Sequence, residues 1–427
     1  MRIVHAAIEA IPEPLVAAFG FKGSYSSQPM WNTVVRLTGQ SGQQAMGLSN
    51  QGITWSDASV SARYSSTGGN ALMYLMSEYA LQRAQGMEFD RPDQLLRQLL
   101  PDVWAYGKKL AGQSLRETFA LNALVALDTA AWLLWAKEQG ITTFDDLIPA
   151  HARPWLAHRH SKVAAVPLIT YSADMDAIRA EVDSGHFVLK VKLGSDPDRD
   201  GDPDKMLAWD MQRLRDIHAL LKDKPCAYTD FGGIPYYLDI NGRYDSMDQL
   251  RRLLDVTDDI GMLERIVLLE EPFPETLEVD VSALPVRIAA DESAHSDLDI
   301  AARLDMGYSA FALKPIAKTM SMTFDMIAQA GQHNVPCFCA DLTVNASMVD
   351  LNKNFAARLA PLPGLQVALL ESNGGQYYAR WDEMIATLPY PDGAWVRPRD
   401  GLYMLDDAFY ETSGGLFMES SLYSNIL

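Results

Sequence analysis

Residues 187–194 read FVLKVKLG. Phe, Val and Leu dominate a short run of strand length. Side chains alternate along a strand, so Lys190 and Lys192 point to one face. Burying two ammonium groups side by side costs free energy through desolvation and again through repulsion. The stretch therefore predicts a strand whose polar face serves a site. It calls for a fold that gathers strand ends around one place.

Reading outward, short apolar runs alternate with helical stretches from about residue 163. The runs are VPLITY (166–171), FVLKVKL (187–193), PYYLDI (235–240), RIVLLEE (265–271), VRIAAD (286–291), FALK (311–314), VPCFCA (335–340) and LQVALLE (365–371). Eight such units over roughly 200 residues predict an α/β fold, a parallel (β/α)8-type barrel, with a doubly wound open sheet as the alternative. CAYTD (226–230) competes with PYYLDI for the third strand. PYYLDI is preferred because it is richer in aromatics and precedes the turn pair Asn241-Gly242.

In a barrel of this type the site lies at the C-terminal strand ends. The second run offers Lys190 and Lys192, the third Asp239 and then Asn241, and the fourth Glu270. The fifth offers Asp291 and Glu292, the sixth Lys314, the seventh Asp341 and the eighth Glu371. Three carboxylates converging in one mouth repel one another unless a cation holds them. All-oxygen ligation favours a hard ion, with Mg²⁺ the default, held by Asp239, Glu270 and Asp291. Lysines from the second and sixth strands lie on opposite sides of that centre and suit an acid/base pair. Lys190 would depress the pKa of its neighbour Lys192, the expected base. Asp230 is a rival for the first ligand.

The rest of the chain frames this core. Net charge is −19 and 48% of residues are apolar, which argues against nucleic acid and anionic membrane as partners. Three cysteines, two of them one residue apart, fit a reduced, cytoplasmic protein. The N-terminus MRIVHAAIEAIPEPL lacks the long apolar core of a signal peptide. FALNALVALDTAAWLLWAKEQG, interrupted by Asn122 and Asp128, reads as a buried helix, with Ser114 and Glu117 as its capping box and Gly140 as its stop. Residues 390–427, rich in Pro, Gly and Tyr, are expected to leave the barrel and pack on the N-terminal part.

At KVK, LDIN (238–241), LLEEP, ADES and ALKP the sequence resembles the enolase superfamily, and within it the mandelate racemase and muconate-lactonizing proteins. The resemblance implies an α+β capping domain over 1–125, a barrel over 126–390 and a C-terminal segment, 391–427, returning to the cap. It implies Mg²⁺ on Asp239, Glu270 and Asp291, with Asn241 and Glu292 behind them. Lys192 and Lys314 would be the acid/base pair and Lys190 the tuning residue. Cap loops at 19–27 and 48–57 would touch substrate through Phe21, Lys22, Tyr25 and Trp55. Asp341, Asn345, Glu371 and Asn373 would line the same space.

Two departures bear on substrate. The eighth strand ends in ESNGG rather than the paired aspartates of dipeptide epimerases. The seventh ends in CADLTVN, without a histidine at its end; His333 precedes that strand and His295 follows ADES. The expected activity is abstraction of the proton α to the carboxylate of a small-molecule substrate through a Mg²⁺-stabilised enolate. Racemisation or epimerisation leads. Acid-sugar dehydration and cycloisomerisation are alternatives, and a non-catalytic metal-binding barrel is a further one. A homo-oligomer is implied by the same resemblance.

Overall fold

A computed structural model describes residues 1–16, 19–21, 24–26 and 29–427, and for 19–21 and 24–26 the backbone alone. The N-terminal part is a three-stranded antiparallel sheet in the order β1 (Ile3–Glu13), β4 (Met30–Gly39), β5 (Gln44–Asn50). A hairpin, β2 (Phe19–Phe21) with β3 (Ser24–Ser26), lies between β1 and β4 in sequence. Helices Ala58–Ala84, Pro92–Ala111 and Glu117–Gln139 accompany the sheet. Helix 117–139 is long and apolar enough to cross a membrane, yet it is almost wholly buried within the protein. It meets β5 where Gly47 leaves room: a Cβ there would lie 2.0 Å from Ala126 O.

The cap of this helix differs from the expected one. The helix starts at Glu117 with Arg116 as N-cap, so Ser114 lies outside it. Asp57 Oδ2 instead accepts from the N-cap N–H of Arg116 at 2.9 Å, supplying from another segment the acceptor that the glutamate of a capping box supplies locally. Gly140 closes the helix in the left-handed conformation, as its sequence position predicts.

The second part is one sheet of ten strands. They are β6 (Lys162–Val166), β7 (Leu168–Ile169), β8 (Leu189–Lys192), β9 (Tyr236–Asp239), β10 (Ile266–Glu270), β11 (Ile288–Ala290), β12 (Ala310–Leu313), β13 (Cys337–Cys339), β14 (Leu369–Glu371) and β15 (Leu402–Met404). From β7 through β14 every pairing between neighbours is parallel. The first strand is split at Pro167, which has no N–H for a ladder. Its first half, β6, pairs with β14 and its second half, β7, pairs with β8, so the sheet closes into a barrel.

β15 corrects the expectation for the tail. Leu402 pairs antiparallel with Ala164 of β6, so the tail adds a strand to the barrel before it turns away. Gly185 and Gly401 allow this, since a Cβ on Gly401 would sit 2.4 Å from Gly185 O. Beyond it the chain reaches the N-terminal sheet, where Arg36 donates to Ser424 O at 2.9 Å. The CAYTD segment forms no strand. Asp230 is exposed, and its N–H donates to Gly364 O, at the opposite end of the barrel from the acidic cluster.

Candidate active site

Strand register brings the polar ends level. In the parallel ladders Lys192 pairs with Asp239, and Asp239 pairs with Glu270. Lys190, Lys192, Asp239, Glu270, Asp291 and Lys314 are all at most 6% exposed. Asp239 rather than Asp230 therefore joins the cluster.

Asp239 Oδ2 lies 2.6 Å from Lys192 Nζ and 3.0 Å from Lys190 Nζ. Lys190 also donates to Glu270 Oε1 at 3.0 Å and Glu371 Oε2 at 3.1 Å. The two lysines thus do not confront each other bare; a carboxylate stands between them. Burial opposes the charge of Lys190, but Asp239, Glu270 and Glu371 outweigh it and hold its pKa well above the usual lysine range. Burial likewise opposes the charge of Asp239, and the two ammonium groups win, lowering it. Glu270 goes the other way: burial and the nearby Asp239 raise it, and Tyr237 OH donates to its second oxygen.

Across the mouth, Lys314 Nζ donates to Asp291 Oδ2 at 2.6 Å. Trp55, from the N-terminal part, donates Nε1 to the same oxygen at 3.1 Å, and its ring centroid lies 4.3 Å from Lys314 Nζ. A further lysine joins them that sequence reading missed. Lys318 is fully buried, donates to Asp291 O at 2.8 Å and stands 3.5 Å from Asp291 Oδ1. Its signal was the i, i+4 spacing with Lys314 in KPIAK, which a helical turn places on one face. Burial lowers the pKa of Lys318 despite Asp291.

The carboxylates suit a divalent cation. Glu270, Asp291 and Glu292 each offer an oxygen, and these lie within 4.8 Å of one another. Asn241 has φ of 50°, a conformation asparagine tolerates, and spans the mouth. Its Oδ1 accepts from Lys192 at 2.6 Å and its Nδ2 donates to Glu292 Oε1 at 2.9 Å. That leaves Glu292 Oε2 buried with no hydrogen-bond partner, a costly state that a cation would relieve. Glu292 thus sits among the clustered acids rather than behind them.

Asp341 and Glu371 also reach the mouth but are engaged by the protein. Asp341 Oδ1 accepts from Leu342 N at 2.8 Å, and Oδ2 accepts from Asn373 N at 2.8 Å. Asp341 N in turn donates to Glu371 Oε2 at 3.0 Å. Burial and Glu371 push the Asp341 carboxyl up to about 7. Asn345 caps helix Ala346–Ala356 and donates to Asn32 Oδ1. His295 pairs with Glu275 at 3.0 Å, and His333 is exposed before β13, so neither enters the cluster. The side chains of Phe21, Lys22 and Tyr25 lie outside the described residues.

A cleft with about 840 Å³ of empty volume separates the two parts. Lys190, Lys192, Asp291 and Lys314 form its floor, and Met30, Ile53 and Trp55 face them from the N-terminal side.

No family model and no curated protein sequence matches the chain. Solved structures do. A mandelate racemase/muconate lactonizing protein from Herpetosiphon aurantiacus has a TM-score of 0.64 at 18% identity, covering 95% of this chain and 96% of that one. The L-Ala-D/L-Glu epimerase from Bacillus subtilis has a TM-score of 0.62 at 15% identity, covering 89% and 92%. The 2-chloromuconate cycloisomerase from Rhodococcus opacus 1CP has a TM-score of 0.62 at 18% identity, covering 94% and 93%. The chain shares the fold of these proteins, an N-terminal α+β part and a barrel.

Proposed function

We propose that this cleft is the active site of an enzyme that removes the proton α to a substrate carboxylate, with Lys192 and Lys314 acting from opposite faces of the α carbon. One observation carries the reading. Lys192 ends β8 and Lys314 follows β12, four strands apart in a ring of eight, with the buried carboxylates of β9, β10 and β11 between them. Two cationic groups on opposite sides of one centre suit delivery and removal of a proton at one carbon.

Asp239, Glu270 and Asp291, with Glu292 beside them, would hold Mg²⁺. Bound there, the ion would supply positive charge opposite the negative charge that develops on the substrate carboxylate. The remaining work belongs to the chain. Lys192 would take the proton and Lys314 would return one from the other side. Asn241 would orient Lys192. Lys318 and Trp55 would hold Asp291 and Lys314 in place, and the capping residues would exclude water. Inversion at the α carbon, as in a racemase or epimerase, follows most directly from two lysines. The names of the epimerase and cycloisomerase neighbours fit that class of chemistry.

The test is a screen of the Mg²⁺-loaded protein in D₂O against acid sugars, N-acyl amino acids and dipeptides, read by NMR at the α carbon. Deuterium uptake with retained connectivity is expected, and Lys192→Ala and Lys314→Ala should each abolish it. Loss of water instead would move the reading to a dehydratase. Uptake surviving in both variants would refute the two-lysine scheme.

A further inference from the structure

We infer that Tyr237 is a positioning residue that confines Glu270 to presenting one oxygen to the metal ion, and so makes the site prefer Mg²⁺ to Ca²⁺. This rests on the reading above, since it takes the acidic cluster to hold a divalent cation. Side chains two apart in a strand share a face, so β9 turns Tyr237 and Asp239 the same way. In the parallel ladders Tyr237 lies between Lys190 of β8 and Leu268 of β10, and Glu270 follows Leu268 by two residues. The tyrosine thus sits one layer below the acids. It is fully buried, its ring in T-shaped contact with Phe338 at 5.6 Å between centroids and 5.1 Å from Lys190 Nζ.

From that layer Glu270 is pinned at both oxygens. Lys190 donates to Oε1 at 3.0 Å and Tyr237 OH donates to Oε2. Two donors on different oxygens fix the plane of a carboxylate. Asp239 is held the same way, with Asn241 N donating to Oδ1 at 2.9 Å and Lys192 to Oδ2. So is Asp291, with Lys314 and Trp55 on Oδ2 and Lys318 3.5 Å from Oδ1.

Carboxylates held at both oxygens cannot swing to lay the pair on one ion. That suits Mg²⁺, which demands an octahedron of ligands at about 2.0–2.1 Å, too tight for both oxygens of one carboxylate. Ca²⁺ takes more ligands at about 2.3–2.6 Å and readily uses carboxylates two oxygens at a time. Groups behind the ligands tune the metal in this way. Among the donors here, the Tyr237 hydroxyl is the one that a single-atom deletion removes while leaving charge, backbone and ring packing in place.

The experiment is calorimetric titration of the metal-free protein with Mg²⁺ and with Ca²⁺. The native protein should bind Mg²⁺ at least as tightly as Ca²⁺. Tyr237→Phe keeps the ring and frees Glu270 Oε2, and should raise the ratio of Ca²⁺ to Mg²⁺ affinity at least tenfold. Phe338→Leu changes the packing of the same ring without touching the hydroxyl, and should leave the ratio where it is. A merely structural loss would weaken both ions together. An unchanged ratio in Tyr237→Phe, an equal rise in Phe338→Leu, or tighter binding of Ca²⁺ than Mg²⁺ by the native protein overturns the inference. No binding of either ion to the native protein overturns the metal centre and the inference with it. A shifted ratio in a protein that exchanges no α proton leaves the inference standing and removes the proton-abstraction reading alone.

Discussion

Lys192 Nζ lies 2.6 Å from Asp239 Oδ2, so the expected base and the expected first metal ligand are each other's counter-ion. A cation binding at Asp239 must compete with an ammonium already there. Removing that ammonium leaves a buried carboxylate short of positive charge. Lys192→Met should therefore raise Mg²⁺ affinity, by about tenfold or 1.4 kcal/mol, while abolishing proton exchange. Calorimetric titration with Mg²⁺ checks the first half and NMR in D₂O the second. Weaker binding in the variant would show that Lys192 organises the site more than it competes.

Trp55 offers a second view of the same event. Its Nε1 donates to Asp291 Oδ2 at 3.1 Å, and its ring covers Lys314. A cation drawn to Asp291 disturbs both contacts. The indole is 5% exposed, so its emission should respond when they change. Mg²⁺ titration is expected to alter tryptophan fluorescence, although the chain holds nine tryptophans, and Trp55→Phe should remove most of the change. An unaltered response in that variant would place the signal elsewhere.

Asp210 holds two strand ends from behind. It is fully buried on helix Pro203–Leu221. Gly194 N donates to both its oxygens, at 3.0 and 2.8 Å, and Tyr244 OH donates at 2.8 Å. Gly194 lies two residues beyond Lys192, and Tyr244 three beyond Asn241. Asp210→Ala would strand a buried N–H and a buried hydroxyl, costing about 2–4 kcal/mol. Asp210→Asn keeps one acceptor and should cost less. Urea unfolding midpoints of the two variants rank the effects; equal midpoints would mean the acceptor is dispensable.

The barrel and its charged mouth were legible in sequence because each strand is a short apolar run with its polar residue at the C-terminal end. One run thus states both position and chemistry. What sequence missed depends on geometry between distant segments. Pro167 divides the first strand, but only the partners of β6 and β7 show that the break lets β8 and β14 share it. β15 is three residues inside a Pro- and Gly-rich tail, too short to announce itself. Helix Ala58–Ala84 begins well before its amphipathic stretch, since Ser, Thr and Gly around its kink at Ser65 carry no periodicity. Helix Pro92–Ala111 runs through Pro101, a residue that ordinarily ends or kinks a helix. Glu292 is expected behind Asp239, Glu270 and Asp291, and only the fold shows its carboxylate grouped with those of Glu270 and Asp291.

Asp128 gives the clearest pH dependence. It lies in helix Glu117–Gln139, where its Oδ1 accepts from Ser321 Oγ at 2.5 Å and its Oδ2 from Ser321 N at 3.1 Å. Trp132 Nε1 completes the contact by donating to the same hydroxyl at 2.8 Å. Burial outweighs these donors and pushes the Asp128 carboxyl up to about 7, from 3.8. The unfolded chain therefore releases this proton near pH 4 and the folded one near pH 7. Between those values the folded state holds more protons, so stability falls as pH rises and the full cost remains above pH 7. Three units at 1.36 kcal/mol each set an upper bound of about 4 kcal/mol. Asp128→Asn carries no charge and keeps a carbonyl for Ser321. The unfolding free energy of the variant relative to the native protein should therefore improve from pH 5 to about pH 7 and level off above it. A difference that stays flat across that range would mean Asp128 ionises as an ordinary carboxyl and that the Ser321 donors, not burial, govern it.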